Sequence, residues 1–143
     1  MSKQPTEEET INSLVVEIRV LESTYNELSA RQNLLERALV ENRAALDALN
    51  GLGDKPSEEV LMQIGGGAML RSPPPSTDKV LVSVGANVVI EKPKAEAVAI
   101  LEDRNKDIEK TVMSIAGQRN GLAQRLDSDR QALNSYASRQ SED

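Results

Sequence analysis

Two long apolar repeats with heptad spacing constrain this 143-residue chain more than any other feature. In each repeat, apolar side chains recur at alternating steps of three and four residues, which places one continuous stripe along a helix. The first stripe runs from Ile11 to Leu49 without a proline or glycine, and the second runs from Val98 to Tyr136. We call each stripe a seam. The pattern predicts two long helices, over residues 7–50 and 93–139, that pair along their seams.

The two seams match when the chain folds back on itself. In an antiparallel pairing whose residue numbers sum to 147, every seam position of one helix meets a seam position of the other. Asn42 then faces Asn105, and a buried amide is a known means of fixing the register of a coiled coil. The alternative is that these two polar positions coincide by chance, because a shift by one heptad is equally periodic. Arg119 and Asp129 make the second seam more polar than the first.

Between the helices, over residues 58–92, the period of the apolar pattern falls to two. Valine and isoleucine alternate on either side of the turns at 65–67 and 85–87, which is typical of β-hairpins. Three prolines at 73–75 separate the two hairpins, because proline lacks a backbone donor. The prediction is an α+β fold in a single domain over residues 1–143. It consists of a long antiparallel two-helix coiled coil with two tandem β-hairpins at its base.

Local signals mark the ends of the helices. Thr6 and Glu9 have the spacing of a capping box, in which each side chain bonds the other residue's backbone N–H. Asn50-Gly51 is a typical C-terminal stop, and residues 52–57 are predicted to form a linker. Pro93 is predicted to lie in the first turn of the second helix, where proline is tolerated.

The composition excludes several classes of protein. The chain has neither histidine nor cysteine, which removes imidazole bases, thiol nucleophiles and nearly all structural zinc sites. The net charge of −6 argues against nucleic acid or an anionic membrane as a partner. Without a long apolar run or a signal-like start, we expect a cytoplasmic protein. We also expect no enzyme activity, no metal site and no cofactor.

The hairpins carry apolar side chains that two helices running away from them would leave uncovered. A small isolated sheet is marginally stable in water, so strands of other subunits are the natural cover. The alternative is that the hairpins pack only on the bases of their own helices. The candidate oligomerisation residues are Val60, Met62, Ile64, Val80, Val82, Val84, Val88 and Ile90.

The far ends of the predicted coiled coil carry valines outside the seam. Val15, Val16 and Val20 lie near the start of the first helix, where helix propensity gives no reason for them. They form either a surface that holds another polypeptide or ordinary surface apolarity, and the residues alone leave both interpretations open. The candidate residues of this tip are Ile11, Leu14, Val15, Val16, Leu133 and Tyr136.

The order helix, double hairpin, helix, with QIGGGAML and VLVSVGANVVIEKP in the hairpins, resembles the alpha-type subunit of archaeal prefoldin. The resemblance covers essentially the whole chain. Its most specific part is the second hairpin, Val80 to Lys92, since beta-type subunits have one hairpin.

This resemblance implies that two alpha-type and four beta-type subunits form a hexamer around an intersubunit β-barrel platform built from their hairpins. It further implies an ATP-independent holdase, whose tips bind unfolded polypeptides and deliver them to a group II chaperonin. The resemblance therefore favours the client-binding interpretation of the tip. The alternative function is a structural coiled-coil scaffold or a filament-forming subunit without client binding.

Overall fold

The computed structural model describes residues 3–52 and 59–142 of the chain. The predicted order, two long helices around two β-hairpins, is confirmed. The predicted linker lies outside the described residues except for Leu52, and so does the predicted start of the hairpins at residue 58. The elements in chain order are α1 (Glu7–Leu52), β1 (Val60–Gly65), β2 (Ala68–Ser72), β3 (Lys79–Gly85), β4 (Val88–Pro93) and α2 (Lys94–Ser141).

The start of α1 has the predicted capping box. The backbone N–H of Thr6 donates to Glu9 Oε2 at 3.0 Å, and the backbone N–H of Glu9 donates to Thr6 Oγ1 at 3.2 Å. Two backbone donors that the helix leaves without a partner are thereby satisfied. The acidic first turn of α1 also lies where the helix dipole favours negative charge.

The other helix ends differ from the sequence prediction by short distances. Helix α1 continues through Gly51 to Leu52, because one glycine inside a helix costs only about 1 kcal/mol. Pro93 is the last residue of β4, where it pairs with Lys79, and α2 begins one residue later. The fixed φ of proline suits an extended strand end, and the Lys94 N–H donates to the Asp78 carbonyl at 3.3 Å.

The hairpins form two separate two-stranded antiparallel sheets, β1–β2 and β3–β4. Each has a shift of register just before its turn, at Gly65 and Gly85. In the second turn Ala86 and Asn87 have φ angles of 50° and 60°. Two successive left-handed residues match the twist of the flanking strands, and two glycines supply the same conformation in the first turn.

The chain divides into two compact units. The two-helix unit comprises Met1–Arg37 and Glu109–Asp143, and the hairpin unit comprises Ala38–Ile108. In both units every predicted seam position is buried or half-buried, as the heptad spacing predicts. The buried apolar side chains are Ile115 and Leu126 in the two-helix unit, and Leu39, Val82 and Ala97 in the hairpin unit.

Candidate functional site

An apolar surface lies on the third and fourth turns of α1, in the two-helix unit. Val16 and Val20 are one helical turn apart and are 59% and 58% exposed. We call this pair the valine surface. Of the predicted tip residues, only Val16 is widely exposed, and Val20 joins it. The pair lies in a shallow open depression lined by Asn12, Ser13, Val16, Glu17, Val20 and Leu21.

The remaining predicted tip residues, including both on α2, are half-buried. On α2 the guanidinium carbon of Arg139 lies 5.7 Å from the centre of the Tyr136 ring, which further covers that side chain. Val16 and Val20 are therefore more exposed than the seam residues at this end of the two-helix unit. The half-buried tip residues are Ile11, Leu14, Val15, Leu133 and Tyr136.

Two ion pairs join α1 to α2 beside the valine surface. The Arg125 Nε–H donates to Glu17 Oε1 at 2.6 Å, and the Arg130 guanidinium donates to Glu22 Oε1 at 2.7 Å. Such exposed pairs contribute about 0–1 kcal/mol each to stability. Arg125 also compensates the charge of Glu17, the carboxylate that lines the depression.

A polar layer crosses the seam further along the two-helix unit. Arg119 donates from Nη1 to Gln32 Oε1 at 2.9 Å and from Nη2 to Tyr25 Oη at 3.0 Å. Its guanidinium carbon also lies 4.8 Å from the centre of the Tyr25 ring. The sequence marked Arg119 only as a polar interruption, and spacing alone did not reveal its partners.

Two buried polar atoms of this unit have no hydrogen-bond partner within the described part of the chain. They are Nε of Arg119 and Oδ2 of Asp129. Polar side chains at these two seam positions replace aliphatic contacts, so the α2 seam is locally weaker than an aliphatic one.

The β3–β4 hairpin turns one face inward and one face outward. Val82 is 5% exposed, whereas Leu81 and Val89, which share the opposite face, are 71% and 56% exposed. We call Leu81 and Val89 the outer face. Val82 was predicted to be an oligomerisation residue, but it is already covered within its own chain. Both faces of this hairpin carry apolar side chains, so strand alternation could not show which face is free.

The rest of the predicted oligomerisation set is more accessible. Val60, Val80 and Ile90 are half-buried, and Val84 and Val88 are exposed. The β1–β2 hairpin leaves apolar side chains exposed on both of its faces. These are Leu61, Met62, Ile64, Met69 and Leu70, which are between 50% and 64% exposed.

Side chains in the hairpin unit also connect α2 to β3. The Arg104 guanidinium donates to the backbone carbonyl of Ser83, which fixes the hairpin on its helix. Asn105 is buried and Asn42 is half-buried, as expected of seam residues. The Asn105 Oδ1 atom has no hydrogen-bond partner among the described residues, so the register role of this pair stays a prediction.

The described residues offer neither a cluster of metal ligands nor a membrane-spanning helix. Within residues 3–52 and 59–142, no group of three or more acidic, histidine or cysteine side chains could hold a metal ion. No helix in the same ranges is both long enough and apolar enough to cross a membrane.

Comparison with known proteins gives consistent results. The sequence matches the family described as "Prefoldin subunit" over residues 21–138. Prefoldin subunit alpha of Nitrosopumilus maritimus is 29% identical over 127 residues, covering 89% of this chain and 88% of the relative. Prefoldin subunit alpha of Methanoculleus marisnigri is 34% identical over 108 residues, covering 71% and 72%.

A solved structure has the same fold. The cryo-EM structure of filamentous PFD from Methanocaldococcus jannaschii aligns with a TM-score of 0.51 and 26% sequence identity. The alignment covers 85% of this chain and 95% of that one.

Proposed function

The chain belongs to the prefoldin family, a family of chaperones and not of enzymes, and on that premise we propose that it is a subunit of an ATP-independent holdase. Its clients would be unfolded polypeptides, which it would pass to a group II chaperonin in the cytoplasm. The valine surface is the observation that carries this proposal, because two neighbouring valines of α1 leave more than half of their surface exposed.

Each valine surface would bind a client weakly. Covering a fully exposed valine gives about 1.5–3 kcal/mol, so two valines that are little more than half exposed contribute roughly 2–3.5 kcal/mol together. Several subunits that contact one client together would bind it with a much higher overall affinity than one subunit does. The half-buried tip residues, from Ile11 and Leu14 to Leu133 and Tyr136, would add contacts where the seam opens locally.

We propose that the hairpins assemble the complex with beta-type prefoldin subunits, as two alpha-type and four beta-type chains around a β-barrel platform. The exposed apolar strands support this, since an isolated two-stranded hairpin is marginally stable in water. The proposed contact residues are the outer face, Val84 and Val88, and the exposed side chains of β1–β2. Val82 is left out of this set because it is already buried within its own chain.

The client-binding proposal is tested by replacing Val16→Thr and Val20→Thr together. Threonine has nearly the shape and helix propensity of valine, so the fold should be retained while the surface becomes polar. The concentration of assembled complex that suppresses aggregation of a chemically denatured model protein should be several times higher for the variant than for wild type.

The matched control is Leu34→Thr, which changes another widely exposed apolar residue of α1 outside the seam. This control should protect the model protein as wild type does. A valine-surface variant that protects at wild-type concentration would show that clients bind elsewhere.

A scaffold or filament subunit is the second candidate, because the solved relative is itself filamentous. The same measurements distinguish the two functions. A scaffold subunit would form long assemblies visible by negative-stain microscopy and would leave aggregation of the model protein unchanged.

A further inference from the structure

We propose that Arg119 is the register lock of the two-helix unit. The guanidinium lies in the α2 seam and donates to two α1 side chains, Tyr25 Oη and Gln32 Oε1, at 3.0 and 2.9 Å. Tyr25 and Gln32 are seven residues apart, one full heptad, and Arg119 lies between them. The inference concerns the geometry of the chain and does not depend on the holdase proposal.

A shift of one heptad in either direction would break this layer. In one direction Arg119 would lie between Ile18 and Tyr25, and in the other between Gln32 and Leu39. Each shift exchanges one polar partner for an aliphatic side chain and leaves the guanidinium partly unpaired. Arg119 therefore disfavours both shifted registers, whereas an entirely aliphatic seam would tolerate them.

The layer favours specificity over stability. A half-buried guanidinium is desolvated, and its Nε atom has no partner among the described residues. Polar groups at such positions are commonly less stabilising than aliphatic ones, while they select one register. Leucine at this position should therefore stabilise the helix pair and at the same time release its register.

The register decides what the end of the two-helix unit presents. A one-heptad slip moves one helix along the other by about 10 Å, at 1.5 Å per residue. The start of α1 would then pass the end of α2 or fall short of it. Ile11 and Leu14 would lose or change their partners on α2.

Engineered disulfides test the proposal directly, because the natural chain has no cysteine. Leu126→Cys is combined in turn with Leu21→Cys, which reports the register whose numbers sum to 147, and with Leu14→Cys or Leu28→Cys, which report the two slips. Intramolecular cross-links are quantified by mass spectrometry of the full chain after oxidation. Only the first pair should link efficiently with Arg119 in place.

The decisive variant is Arg119→Leu. Losing a hydrogen bond to a charged group should raise the slipped cross-links about tenfold or more. Thermal unfolding, followed by circular dichroism without engineered cysteines, should occur at the same or a higher temperature. Arg119→Lys should be intermediate, because one compact ammonium group cannot bridge both partners as a planar guanidinium does.

The matched control is Lys110→Leu, which removes an exposed cation nine residues earlier on the same helix. It should leave the cross-linking pattern unchanged. Slipped cross-links that stay at the wild-type level in Arg119→Leu would overturn the proposal, since other contacts would then hold the register. A lowered unfolding temperature without slipped cross-links would also overturn it, because the layer would then act only through stability.

Discussion

Replacing Leu81→Thr and Val89→Thr together should weaken assembly while leaving the subunit folded. These side chains share the outer face of β3–β4 and are 71% and 56% exposed in the single chain. Threonine has the β-branched shape that strands prefer, so the hairpin itself should form. Val82, on the inner face, is left unchanged because it is already buried.

The exposed fractions set the size of the effect. Full burial of such a side chain contributes about 1.5–3 kcal/mol, so covering the exposed part contributes roughly 1–2 kcal/mol for Leu81 and slightly less for Val89. Their sum, at most about 2–4 kcal/mol, corresponds to an increase of roughly 30- to 800-fold in the dissociation constant. Threonine retains one methyl group, which places the expected value in the lower part of that range.

Analytical ultracentrifugation of the variant mixed with a beta-type prefoldin subunit, over a range of concentrations, measures this constant. Circular dichroism of the isolated chain should remain strongly helical. The Val16→Thr, Val20→Thr variant is the matched control, since it makes the same type of change in the two-helix unit and should assemble normally. A dissociation constant within about threefold of wild type would refute the outer face as an interface, because even one buried methyl group predicts more.

Two further predictions concern the helices. Thr6→Ala should remove one half of the capping box and cost about 1 kcal/mol locally, so amide exchange at residues 7–10 should accelerate while Thr6→Ser preserves the wild-type rate. Asn42→Cys with Asn105→Cys should form an intramolecular disulfide faster than Asn42→Cys with Val98→Cys or Val112→Cys, and faster linking in either companion would contradict the proposed Asn–Asn pairing.

The heptad spacing was sufficient to predict the helices and their inward faces. Every position on the two seams is buried or half-buried, including the polar ones. Period-two alternation likewise predicted the hairpins, and Thr6 with Glu9 predicted the start of α1. These features depend on local spacing, which the sequence contains directly.

The features that the sequence did not predict depend on contacts between distant residues. Val82 and Leu81 are neighbours of similar apolarity, and only the packed hairpin shows which one is covered. The hydrogen-bond partners of Arg119 were not predicted, because they lie 87 and 94 residues away along the chain. Pro93 was predicted to lie in the first turn of α2 but ends β4, because proline suits both positions.

The positions of the two tyrosines have a practical spectroscopic consequence. The chain has no tryptophan or phenylalanine, and both tyrosines, Tyr25 and Tyr136, lie in the two-helix unit beside arginines. Near-ultraviolet absorption and intrinsic emission therefore come from that unit alone, and the hairpin unit is optically silent. Any tryptophan signal in a mixture belongs to another protein, so excitation near 295 nm would follow a bound client without interference from this chain.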